Sequence, residues 1–134
     1  MMRTPQIVLA LAIGVAAGAV IAAQEPPTEN KGMEAKQLAG FDLGKQGLHD
    51  LDERQMRTRE INIAPGGVAA FHSHGQRPAL SYVMKGELLE HRQGAQDRVY
   101  KAGEVITETT DVNHWAENKG SEPVVIISVD LFKQ

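Results

Sequence analysis

The residues best placed to do chemistry are three histidines. His72 and His74 stand one residue apart in Phe71-His72-Ser73-His74, and His114 follows forty residues later. Residues i and i+2 of a β-strand project from the same face, about 7 Å apart along the strand, so the two imidazoles can converge on one ion. A third imidazole from another strand would complete a facial set of nitrogen donors for a divalent transition metal (Fe, Mn, Ni, Cu or Zn). The chain has no cysteine. Thiolate ligands, disulfides and a cysteine nucleophile are therefore excluded, and any metal must be held by histidine, carboxylate or neutral oxygen. His49 and His91 lie outside this arrangement and read as surface residues.

The elements that must position the histidines read as all-β. No stretch sustains helical periodicity, while short β-type runs bounded by turn residues recur. The expected strands are Met56 to Ile63, Val68 to His74, Ala79 to Lys85, Leu88 to Gln93, Arg98 to Lys101, Val105 to Thr107, His114 to Asn118 and Pro123 to Phe132. Ala64-Pro65-Gly66-Gly67 has the Pro-Gly order of a type II turn. Lys85-Gly86-Glu87, Gln93 to Asp97 and Asn118-Lys119-Gly120 read as further connections. Val124 to Val129 is apolar on both alternating sets except for Ser128, as expected of a strand inside a closed or two-layer structure.

A chain of 134 residues with 42% apolar composition supports one modest domain. Its 14 Lys and Arg against 17 Asp and Glu leave no basic stripe for nucleic acid, which is excluded as a partner. The N-terminus is different in kind. Arg3 precedes an unbroken apolar run, Ile7 to Ala23, that ends in the small pair Ala22-Ala23, the pattern of an export signal cleaved there. The run is also near the lower limit of a membrane span, so residues 1–23 read as a signal peptide or as a membrane anchor formed by residues 7–23. Either places the domain outside the cytoplasmic membrane, periplasmic or secreted, with the membrane touched only through this segment. Residues 24–36, with Pro26-Pro27, Asn30 and Gly32, read as a flexible linker, and 37–134 as the β domain.

Glycines frame the histidines. Gly66 precedes His72 by five intervening residues, Gly86 follows His74 by eleven, Gly103 precedes His114 by ten, and Asn118 follows it by three. This resembles the paired signature of the cupin superfamily, in which Gly, five residues, His-x-His, a glutamate and Gly form one block, and Gly, Pro-x-Gly, His and Asn the other. The resemblance covers roughly Met56 to Phe132 and implies a jelly-roll β-barrel, or double-stranded β-helix, with His72, His74 and His114 on a metal and a homodimer paired through barrel edges. Two positions depart from the pattern. Ala79 stands where many cupins have a glutamate ligand, and Thr109-Thr110-Asp111 replaces Pro-x-Gly.

Without that glutamate the resemblance implies a neutral, open three-histidine centre. Such a centre keeps the ion's full charge and favours anionic or chelating oxygen ligands. Glu90, His91 and Gln76 are the candidates to replace the acid. Gln76, Arg77 and Tyr82 could line a substrate pocket, Trp115 faces away from His114, and Met84 reads as core. The functional expectation is an exported metal-binding cupin, a quercetinase-like dioxygenase acting on a small chelating substrate. The alternatives are a non-catalytic metal- or ligand-binding module of the cell envelope, and a barrel whose histidines no longer bind metal.

Overall fold

The computed structural model describes residues 24–133. The expected export signal or anchor, residues 1–23, lies outside them. Eight strands follow in order: β1 (Lys31–Asp42), β2 (Arg54–Ser73), β3 (Ala79–Lys85), β4 (Glu87–Arg92), β5 (Arg98–Lys101), β6 (Val105–Glu108), β7 (Asn113–Glu117) and β8 (Val124–Lys133). Among the described residues the helices are two single 3-10 turns, Gly44–Gln46 and His49–Leu51. All pairings are antiparallel in the order β5-β4-β7-β2-β8-β3-β6, with β1 added beside β2, and the sheet curls into a nearly closed barrel. The expectation of an all-β jelly roll holds.

Two expected boundaries change. Met56 to Ile63 and Val68 to His74 fall on one long strand, β2, which ends at Ser73 just before His74. The Ala64–Gly67 segment is looped out within it, because Lys31 pairs with Val68 while Met33 pairs with Ile63. Gly66 there has the positive φ, +72°, that Pro-Gly order predicts, and a Cβ on Gly67 would lie 2.7 Å from the carbonyl oxygen of Ala64. The loop is a corner. Before it β2 pairs with β1 and β8; after it β2 pairs with β7 and so carries His72 into the other layer. The second change concerns 24–36, read as a linker: Lys31–Lys36 belong to β1 and pair with β2. That stretch is polar and almost wholly exposed, with Met33 alone packing on the core, so it lacks the alternation that marks a strand.

Inward positions run from apolar to polar along most strands. On β2 they are Ile63, Ile61, Arg59 and Arg57; on β8, Val124, Ile126, Ser128 and Asp130 pair with them in that order. On β3 the series is Val83, Ser81, Ala79, on β6 Ile106 then Glu108, on β4 Leu88 then Glu90, and on β7 Ala116 then His114. The registers align these series, so Ile63, Val83, Leu88, Ile106, Val124 and Ile126 form a dry core at one end. Toward the other end the barrel opens into a cavity floored by Ile63, Leu88, Ile106 and Ile126 of that core, with its polar side chains, among them His74, His114 and Glu108, beyond that floor. Met84 and Tyr82 fall on the opposite face of β3, 54% and 45% exposed. Met84 is therefore not core, because inward pointing belongs to Ala79, Ser81 and Val83.

Candidate metal centre

The three histidines meet at the polar end. His72 and His114 are directly paired across β2 and β7, and His74 follows on the β2 side where the chain leaves the strand. The three Nε2 atoms form an equal triangle, each 3.1 Å from the other two. Every Nδ1 faces an acceptor: His72 Nδ1 lies 2.8 Å from the carbonyl of Ala70, His74 Nδ1 2.8 Å from that of Arg77, and His114 Nδ1 2.5 Å from Glu90 Oε1. A carbonyl or carboxylate can only accept, so each Nδ1 carries the ring proton and each Nε2 presents a bare lone pair. Three lone pairs pointed at one another repel unless a cation lies among them. Nitrogens at this spacing suit one face of an ion with metal–nitrogen bonds of about 2.0–2.1 Å. The donor set fits a divalent transition metal.

Burial tunes the same groups. It lowers the pKa of His72 and His74 to about 4, although their bonds to Ala70 and Arg77 oppose the shift. The rings therefore stay neutral and ligand-competent well below neutral pH. Glu90 is buried, which pushes its pKa up, yet hydrogen bonds from His114 and Arg92 hold it below the usual carboxylate range. It is charged behind His114, the arrangement that fixes tautomer and raises ligand basicity.

The centre is not without an acid. Glu108, at the end of β6, places Oε1 3.6 Å from Nε2 of both His74 and His114, and Ser81 Oγ donates to its Oε2 at 2.9 Å. Burial raises its pKa, against the pull of His114 and of the Ser81 bond. Its register partner across β3 and β6 is Ala79. Glu108 thus stands directly opposite position 79 and puts a carboxylate beside the triad, while the atoms close enough to share one ion are those of the three histidines. Counting along one strand could not find this carboxylate. The sequence-level signal was Glu108 two residues after inward-facing Ile106, on a strand of period two.

The stand-ins for the acid are placed elsewhere. Glu90 braces His114 from its Nδ1 side. His91 stacks on Trp115 at 3.7 Å and bonds Glu117, outside the barrel. The carbonyl of Gln76 accepts from Arg54 Nη1 at 2.6 Å, and its side chain does not reach the cavity. Of the pocket candidates, Arg77 lines the cavity, whereas Gln76 and Tyr82 do not, Tyr82 because β3 turns it outward. The cavity is about 360 Å³, within the range of small-molecule sites. Arg59 and Arg77 share it with the histidines and Glu108; Met33, Ile61, Phe71, Leu88 and Ile106 supply apolar wall.

The glycine frame is structural. Asn118, fully buried, donates to the carbonyls of Ile63 and Glu122 and accepts from Gly120 N–H, tying the loop after β7 to the β2 corner. Gly86 has φ +80°, and a Cβ there would lie 2.9 Å from the carbonyl oxygen of Pro123.

The Cupin_2 family model, described as a cupin domain, matches residues 59–130. Among similar solved structures is an uncharacterized conserved protein with a double-stranded beta-helix domain from Klebsiella pneumoniae, 20% identical, covering 74% of this chain and 76% of that one with a TM-score of 0.60. A predicted oxalate decarboxylase from Thermotoga maritima is 22% identical over 81% of this chain and 94% of its own, TM-score 0.58. The Cnp3 cupin domain of Schizosaccharomyces pombe is 10% identical over 84% and 70%, TM-score 0.62. At these identities the likeness establishes the fold alone. No curated protein matches the chain by sequence. A family match over more than half of the chain, on a double-stranded β-helix with the histidines and glycines of both motifs in place, shows that this chain belongs to the cupin superfamily.

Proposed function

We propose that the protein is an exported, metal-dependent cupin enzyme, dioxygenase-like, acting on a small chelating substrate. The observation that supports the metal is the triangle of Nε2 atoms 3.1 Å apart, each with its Nδ1 committed to an acceptor. His72, His74 and His114 would hold the ion, with Glu108 adding an anionic donor on the side of His74 and His114. A bound transition metal would supply Lewis-acid and redox chemistry at positions left open to substrate. The protein's own part is to fix the three rings through Ala70, Arg77 and Glu90, and to keep the substrate among apolar side chains away from bulk water.

Export rests on the composition of residues 1–23. The enzymatic reading is tested by oxygen consumption of protein loaded separately with Fe, Mn, Ni or Cu, offered diketone, phenolic and flavonol compounds. Uptake that requires metal and disappears in His74→Ala is expected. A metal-loaded protein that consumes no oxygen with any of them would leave a binding module in place of an enzyme.

A further inference from the structure

At the polar end of the cavity three guanidinium groups surround one carboxylate. Asp130, inward on β8, is fully buried. Arg57 takes it in bidentate fashion, Nε to Oδ1 at 3.0 Å and Nη2 to Oδ2 at 2.9 Å, and lies over the Phe132 ring. That pair is complete in itself, and Arg57 does not line the cavity. Arg59 also reaches Asp130, Nη2 to Oδ2 at 2.9 Å, but its buried Nε has no partner. Arg77 Nη1 is 3.9 Å from the same oxygen, beyond hydrogen-bond range. The described residues give its guanidinium no other polar contact.

Arg59 and Arg77 therefore face the cavity with most of their donors unused: Asp130, the carboxylate they approach, is already taken by Arg57, and Glu108, which lines the same cavity, forms no ion pair with either. Buried or half-buried cations in this state are costly without an anion. Burial, with repulsion from Arg77 and Arg57, lowers the pKa of Arg59 even though Asp130 and Glu108 oppose the shift. The guanidinium fork matches a planar carboxylate, and the nearby wall of Met33, Ile61, Phe71, Leu88 and Ile106 offers little to any other polar group.

We propose that Arg59 and Arg77 form a carboxylate-binding subsite, so that the substrate is a small organic carboxylate with an apolar body. The proposal rests on the reading of this cavity as the substrate pocket, but it does not need the metal. It names the end of the substrate held by arginine; the histidine centre takes another part of the same molecule.

The test is calorimetric titration of purified protein stripped with EDTA, using benzoate, its neutral counterpart benzamide, and inorganic phosphate. Benzoate should bind at one site per chain, and benzamide and phosphate each about ten-fold or more weakly, benzamide because it lacks the charge for an ion pair and phosphate because, although its oxygens suit the guanidinium fork, it has no apolar body to set against the cavity wall. Arg77→Gln should weaken benzoate by a similar factor without lowering the melting temperature, since Arg77 makes no side-chain hydrogen bond and repels Arg59, and Arg77→Lys should be intermediate. The comparison of benzoate with benzamide depends on no variant. Undetectable benzoate binding, equal affinity for benzamide or phosphate, or full affinity in Arg77→Gln would overturn the proposal. A protein that binds benzoate in this way yet takes up no metal would overturn the metal centre and leave the subsite standing.

Discussion

Each histidine of the triad is gripped by its far nitrogen, and that grip decides what its near nitrogen can do. Glu90 is the clearest case, because its carboxylate both orients His114 and makes it a better donor. Glu90→Leu should weaken metal binding about 10–100-fold in a competition titration, while Glu90→Gln, which keeps an acceptor, should lose less. Metal-free protein should also show a pH signature. His72 and His74 titrate near pH 4 in the fold and near 6.5 in the unfolded chain, so the unfolded chain binds more protons in that interval. Stability is therefore full above about pH 6.5 and falls as the pH drops toward 4. Melts of EDTA-treated protein should show this decline, and His72→Gln should flatten it. At this scale His72, His74 and His114 were legible because period two and the glycine frame are linear patterns. Glu108 was not, since it enters through its register with Ala79 on a neighbouring strand. Arg59 reads in sequence as one charge among the alternating residues of β2; only its pairing with Ser128, beside Asp130, places it in the cavity.

Among the elements, the β2 corner matters most, since it turns the strand from its β1 and β8 partners toward β7. Asn118 ties that corner to the loop before β8, and all of its side-chain hydrogen-bonding groups are engaged. Asn118→Ala would leave the carbonyls of Ile63 and Glu122 without these bonds in the interior. It should cost about 2–3 kcal/mol in denaturant unfolding, well above the effect of a surface substitution. Gly86→Ala should also destabilise, through its positive φ and the close carbonyl of Pro123. The strands from β3 to β8 were readable because alternation and Gly-rich turns bound them. β1 was not readable, because it is an exposed strand paired only to β2 and carries little apolar alternation. The Pro-Gly loop was read correctly in its chemistry and wrongly in its consequence: a tight turn can interrupt a ladder without ending the strand.

For the whole molecule, the aligned progression from apolar to polar inward positions makes one end a core and the other a site. The same barrel thereby stabilises itself and holds a cluster of lone pairs and charges that only ligands would satisfy. Export, as proposed, would deliver it to the cell envelope, and mass spectrometry of the protein recovered from cells should give an N-terminus at Ala23 or Gln24. Recovery of the intact chain in the membrane fraction would point instead to an anchor formed by residues 7–23. The central claim is the metal, and elemental analysis of purified protein tests it most directly. Close to one divalent transition metal per chain is predicted, lost in His74→Ala. Protein that stays metal-free after incubation with Fe, Mn, Ni, Cu and Zn, or retention unchanged by His74→Ala, would contradict it.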